Sequence, residues 1–112
     1  MIKTSELTGA ALDWAVAKCE GIDYGKDDVR FRGAYARKYS TDWAQGGPII
    51  EREKMSVSYQ QHDKFPDICW TAYAGDGNPR KGYSGPTPLI AAMRCYVASK
   101  LGDTVEIPKE LT

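Results

Sequence analysis

Thr87-Pro88-Leu89-Ile90-Ala91-Ala92-Met93-Arg94-Cys95-Tyr96-Val97-Ala98-Ser99-Lys100-Leu101-Gly102 carries the clearest structural signal in the chain. Thr87 is placed to cap a helix with its hydroxyl, and Pro88 falls at the first helical position, where its missing N–H costs nothing. Leu89, Met93, Val97 and Leu101 recur every four residues, flanked by Ile90 and Tyr96, so one stripe faces a core. Gly102 supplies the stop.

Working outward, the segment before this helix is Gly75-Asp76-Gly77-Asn78-Pro79-Arg80-Lys81-Gly82-Tyr83-Ser84-Gly85, which reads as a long glycine-rich loop. Ile68–Ala74 is rich in β-formers and predicts a strand. Met55–Tyr59 alternates apolar and polar and predicts another, as does the shorter Val29–Arg32. Between them, residues 35–47 have no clean period and read as a second long loop. Pro48–Glu53 predicts one helical turn. Near the start, Leu7, Ala11, Trp14 and Ala15, with Leu12, Val16 and Cys19, follow helical spacing up to Gly21. Thr4 or Thr8 is the candidate cap, and Asp13 and Glu20 fall away from the apolar face. Asp103–Ile107 is a short extended piece. The predicted order is helix, three strands, helix. With antiparallel neighbours and both helices on one face, that is an α+β two-layer domain with two long loops, filling residues 1–112 as a single unit.

Composition narrows the function classes. The chain has 112 residues, 15 Lys and Arg against 15 Asp and Glu, and a formal net charge of zero. The pI of 6.6 lacks the basic excess of a dedicated nucleic-acid binder. Helix–strand–strand–strand–helix order is shared with double-stranded RNA-binding domains, but the last helix has no lysine-rich start, which counts against that reading. No apolar run approaches the ~20 residues of a membrane span. Cys19, Cys69 and Cys95 are an odd number, stand far apart and form no CxxC, so they read as small hydrophobes in a reducing compartment. The start Met1–Glu6 shows no secretion signal, which makes the cytoplasm the expected location.

Catalytic constellations are sparse. His62, the single histidine, sits in the polar turn Gln60–Lys64 with no nucleophile elbow nearby. The acid pairs Asp27/Asp28 and Glu51/Glu53 are adjacent rather than opposed across a substrate. Metal-ligand spacing is lacking, and neither a metal nor a cofactor is expected. The expectation is a protein that is not an enzyme.

A binding site is more legible. Arg80, Lys81, Tyr83, Ser84, Gly85 and Thr87 run into a helix N-terminus, where unpartnered N–H groups and the helix dipole favour an anion. Tyr39, Trp43 and Tyr83 are aromatics in predicted loops. Rings near arginine suit stacking on a base, while Trp43 could equally plug the edge of the core. The candidate ligand is an anionic, nucleotide-like small molecule. The alternative is a protein-binding inhibitor or adaptor, meeting another protein through the sheet face or the loops. A homo-oligomer stays open, because Met93 and Val97 contacts across a dimer would look like core contacts.

Three segments also resemble a known family. Gly46-Gly47-Pro48-Ile49-Ile50-Glu51-Arg52-Glu53-Lys54-Met55-Ser56-Val57, then Trp70-Thr71-Ala72, then Thr87-Pro88-Leu89-Ile90-Ala91-Ala92-Met93-Arg94 are similar to the NinX-like small phage proteins. In those, a Trp-Pro-Ile-Ile-type segment precedes a strand, a Trp-Xaa-Ala strand follows, and a Pro-Leu-Xaa-Ala-Ala-Met helix closes the pattern. The opening Leu7–Ala17 helix also resembles these proteins. The chain departs at Gly47, where the family commonly has Trp, and in its longer loop at 75–86. The resemblance implies a non-structural accessory role inside an infected bacterium, such as binding a host protein or a nucleotide signal of host defence. It carries no catalytic residues over.

Overall fold

In the computed structural model, which describes residues 2–21, 38–59, 64, 69–74 and 82–107, the last helix is the centre of the molecule. This helix, α3, spans Pro88–Leu101. Thr87 Oγ1 accepts the Ile90 N–H at 3.1 Å, and Gly102 ends the helix with a φ of +94° that favours glycine. The predicted stripe residues Leu89, Met93 and Val97 are buried. So are Ala91, Ala92, Cys95 and Tyr96, and the burial therefore extends well beyond one stripe. The reason is tertiary: α3 packs against helices on one side and the sheet on the other. The small residues let both neighbours approach closely.

The first helix, α1, spans Gly9–Cys19 and buries Ala11, Leu12, Ala15, Val16 and Ala17. Neither predicted threonine caps it. Thr8 holds the cap position without a side-chain bond. Thr4 lies in a preceding 3-10 turn, Thr4–Glu6, fully buried, with its hydroxyl donating to the Gly102 carbonyl at 2.7 Å. Asp13, expected on the solvent side, is buried, because the 38–42 segment covers that side of α1. Its carboxylate accepts the Ser40 N–H at 2.8 Å and the Ser40 hydroxyl at 2.6 Å.

Within the region read as an irregular loop and one helical turn stands instead a ten-residue helix, α2, Trp43–Arg52. Asp42 caps it, accepting from the Ala44 N–H at 2.9 Å. Two glycines and an internal proline, Pro48, argue locally against a helix. Tertiary contacts override that preference: Ile49 is buried, and Gly46 seats the helix directly against the Tyr39 carbonyl and Leu89.

The main sheet has three antiparallel strands in the order β2-β3-β4: Ser56–Tyr59, Trp70–Tyr73 and Tyr83–Gly85. The predicted strand Val29–Arg32 lies outside the described residues. The third strand comes from the stretch read as a loop. Tyr83-Ser84-Gly85 is too short to show a period, and pairing with β3 is what makes it a strand. Opposed pairs Val57↔Ala72, Tyr59↔Trp70, Ala72↔Tyr83 and Trp70↔Gly85 share the face packed on α3. Ser56, Ser58, Thr71, Tyr73 and Ser84 lie on the other face. Separately, β1 (Ile2–Lys3) pairs antiparallel with β5 (Thr104–Val105), so the predicted extended piece finds its partner a hundred residues away. The α+β expectation therefore holds, with one more helix and a small second sheet.

The C-terminal ends of the three helices are joined by charge. Arg52 donates from Nη1 and Nη2 to the two Glu20 oxygens at 3.0 and 2.7 Å, and from Nε to Glu53 at 3.0 Å. The Tyr96 hydroxyl donates to Glu20 and accepts from Arg52. The Arg52 bonds are the main cause holding the Glu20 carboxyl below its ordinary range, with Tyr96 adding and burial opposing. A lowered carboxyl contributes stability that is complete above the unfolded value and is lost as pH falls through the folded one. Melting temperature measured from neutral pH down through about pH 4 should therefore fall less steeply in Glu20→Gln than in the parent. Parallel curves would mean that the Arg52 contact is not coupled to folding. Asp13 acts with the opposite sign: burial holds its carboxyl above the usual range, so its penalty is relieved as pH falls.

Candidate functional site

The β1–β5 pair and β4 flank an open cleft of about 550 Å³. Its lining residues are Lys3, Ser5, Gly82, Tyr83, Ser84, Asp103 and Thr104. One wall is the β1–β5 pair and its flanks. Thr4 holds that wall in place, with its N–H donating to the Asp103 carbonyl at 2.7 Å and its hydroxyl to Gly102. The opposite wall is β4, held from behind by Arg94. The Arg94 guanidinium donates from Nε to the Leu7 carbonyl and from Nη1 to the Ser84 carbonyl, each at 2.7 Å. Burial lowers the pKa of that guanidinium from its ordinary value.

Tyr83 links the walls. Its hydroxyl donates to Asp103 Oδ1 at 2.7 Å. Burial first, and the Asp103 carboxylate second, push the phenol up to about 12, so it remains a protonated donor at neutral pH. The cleft thus presents a lysine ammonium, a carboxylate with one oxygen already engaged, a phenol and the hydroxyls of Ser5, Ser84 and Thr104. Ser84 Oγ lies 3.2 Å from Thr71 Oγ1, a hydroxyl rather than a base that could activate it.

The predicted site residues are distributed unevenly. Tyr83 and Ser84 line the cleft. Gly85 is buried where β4 meets α3: an added Cβ would stand 3.0 Å from the Ala91 nitrogen, so the glycine serves strand–helix packing. Thr87 caps its own helix. Its hydroxyl takes the Ile90 N–H and its carbonyl the Ala91 N–H, and Pro88 has none, which leaves the Leu89 N–H as the terminal donor not engaged by Thr87. Tyr39 is only 7% exposed and belongs to the core cluster, whereas Trp43 is 55% exposed at the start of α2. Neither lines the cleft. Arg80, Lys81, His62 and the Asp27/Asp28 pair lie outside the described residues. Glu53, of the other acid pair, is engaged by Arg52 and by Lys100 at 3.7 Å.

Sequence reasoning missed five lining residues: Gly82 beside β4, and Lys3, Ser5, Asp103 and Thr104 on the opposite wall. No local pattern marks the last four, because they meet only through the pairing of β1 with β5. The one available signal was the extended piece at 103–107, which needed a strand partner.

Among the described residues, no three His, Cys, Asp or Glu side chains gather to hold a metal ion. No helix among them is long and apolar enough to cross a membrane.

The described residues form a small two-layer α+β fold with an open pocket between β4 and the β1–β5 pair. Residues 3–100 match the family model described as Bacteriophage P22, NinX, and the chain belongs to that phage protein family. No curated protein matches it.

Proposed function

We propose that this phage protein is a non-enzymatic binder that sequesters an anionic, nucleotide-like small molecule in the cleft between β4 and the β1–β5 pair. The observation that carries this reading is the convergence of Lys3, Tyr83, Asp103 and three hydroxyl side chains on one cleft of about 550 Å³. That volume falls within the range of small-molecule sites. Lys3 supplies a charge for a phosphate, while Asp103 and the hydroxyls match the donors of a sugar and a base edge. Binding of this kind needs no cofactor. A role in the cytoplasm of the infected host, taking up a signal of host defence, accords with the phage family.

Thermal shift and calorimetry with a panel of nucleotides and cyclic dinucleotides test it. A ligand at a hundred times its Kd should add about 2.7 kcal/mol of stability. Lys3→Ala should weaken the same ligand about 10- to 100-fold, the loss expected for one charge-assisted contact. An unchanged affinity in Lys3→Ala would place the ligand outside this cleft. A panel that shifts nothing would favour the second reading, a protein-binding inhibitor or adaptor, which rests on the exposed rings of Trp43 and Tyr59.

A further inference from the structure

Arg94 stands behind the cleft and is not among its lining residues, yet it bonds to the chain on both sides of it. Its Nε donates to the Leu7 carbonyl and its Nη1 to the Ser84 carbonyl, each at 2.7 Å. From Leu7 the bonds continue round the cleft. The Leu7 N–H donates to the Thr4 carbonyl at 3.2 Å, and the Thr4 N–H to the Asp103 carbonyl at 2.7 Å. The Asp103 carboxylate accepts the Tyr83 hydroxyl at 2.7 Å, and Tyr83 is joined covalently to Ser84, which leads back to Arg94. Arg94, Leu7, Thr4, Asp103, Tyr83 and Ser84 thus form a closed ring. Tyr83, Ser84 and Asp103 line the cleft, and Thr4 sits between the lining residues Lys3 and Ser5.

We propose that Arg94 is a positioning residue for the cleft: it closes a ring of bonds that holds β4 and the β1–β5 pair at a fixed spacing, and so shapes the site before a ligand arrives. Arginine suits this task. Its planar guanidinium aims several donors in fixed directions, so one side chain ties two carbonyls on separate segments, whereas a lysine ammonium is a single point on a flexible stem. A bond from a charged donor is stronger than one between neutral groups, and partial burial strengthens it further. The guanidinium is carried on α3, whose middle lies in the core, so its position is set by the core rather than by the walls it joins. Gly85 keeps its path clear, since an added Cβ there would stand 3.3 Å from Nη1. Walls already held in place lose less freedom on binding, which raises affinity. That effect on affinity rests on the cleft being the ligand site proposed above; the effect on the walls does not.

Two measurements on the full chain test the two effects. Proton exchange at Arg94 Nε is followed by NMR in the parent and in Tyr83→Phe, which removes one hydroxyl at the front of the ring and leaves the core untouched. Exchange should be about 10-fold faster in the variant, because a ring opened at one point loosens at the others. Calorimetry with AMP, GMP and cyclic di-GMP then compares the parent with Arg94→Lys, well below the melting temperature of either. A nucleotide that the parent binds should bind about 10-fold more weakly to Arg94→Lys. An arginine serving stability alone would lower the melting temperature and leave Kd unchanged. Arg94 exchange indifferent to Tyr83→Phe, or an unchanged Kd in folded Arg94→Lys, would each overturn the proposal. If none of these nucleotides binds the parent, the nucleotide reading of the cleft fails, and the exchange measurement alone decides whether Arg94 holds the walls. It decides equally if Arg94→Lys does not fold.

Discussion

Met93→Ala is expected to lower stability by about 2–5 kcal/mol, the range for truncating a large buried side chain. Met93 is fully buried at the middle of α3, within a core that includes Leu12, Val16, Ile49, Ala72 and Val97. That core draws on α1, α2, the sheet and α3 itself, so a void at Met93 removes contacts from several elements at once. Close packing leaves little room for relaxation, and the cost should fall toward the upper half of the range. In a domain of this size the loss corresponds to a drop of about 10 °C or more in melting temperature. Urea denaturation of the parent and variant checks it. A loss under about half a kcal/mol would mean that the site collapses freely, contrary to the packing described.

Gly46→Ala should be the second large effect, and here two principles conflict. Alanine in a helix interior is normally favoured over glycine by about 1 kcal/mol. At Gly46, however, an added Cβ would stand 2.3 Å from the Tyr39 carbonyl oxygen and 2.6 Å from Leu89 Cδ1. The first is backbone and cannot rotate away, so α2 must lift off its seat. Overpacking of that kind costs about 1–3 kcal/mol, and steric exclusion outweighs propensity. The neighbouring glycine is the control. A Cβ at Gly47 would meet only the Trp43 ring, at an ordinary 3.6 Å, so Gly47→Ala should be neutral or stabilising. Chemical denaturation of the two variants separates the effects. Equal stability of both would sink the close-approach account of Gly46.

The same pair of glycines shows why α2 was illegible as a sequence. Trp43–Arg52 contains Gly46, Gly47 and Pro48, each a poor helix former, and local reading followed those signals. The helix exists because Asp42 caps it and because Ile49 and Gly46 find partners distant in sequence. β4 escaped for a different reason: three residues, the last of them Gly85, offer no alternation to count. For the site, Tyr83 and Ser84 were visible as chemically apt residues beside a helix, but the other cleft residues were not. Thr87 stands between these cases. Its identity pointed correctly to a cap, and in that bond the hydroxyl oxygen accepts the Ile90 N–H while its own O–H can still donate.

By itself the sequence determined the elements with strong internal periodicity. α3, most of α1, β2 and β3 follow from side-chain spacing along one short segment, since a helix or strand shows its buried positions at a fixed interval. The α+β class follows from their order. Tertiary structure alone decided that α2 forms through its glycines and proline, that Asp13 is buried against Ser40, and that Lys3, Tyr83 and Asp103 share one cleft. Those outcomes depend on contacts between residues far apart in the chain, whose stability comes from burial and geometry after folding rather than from any local preference.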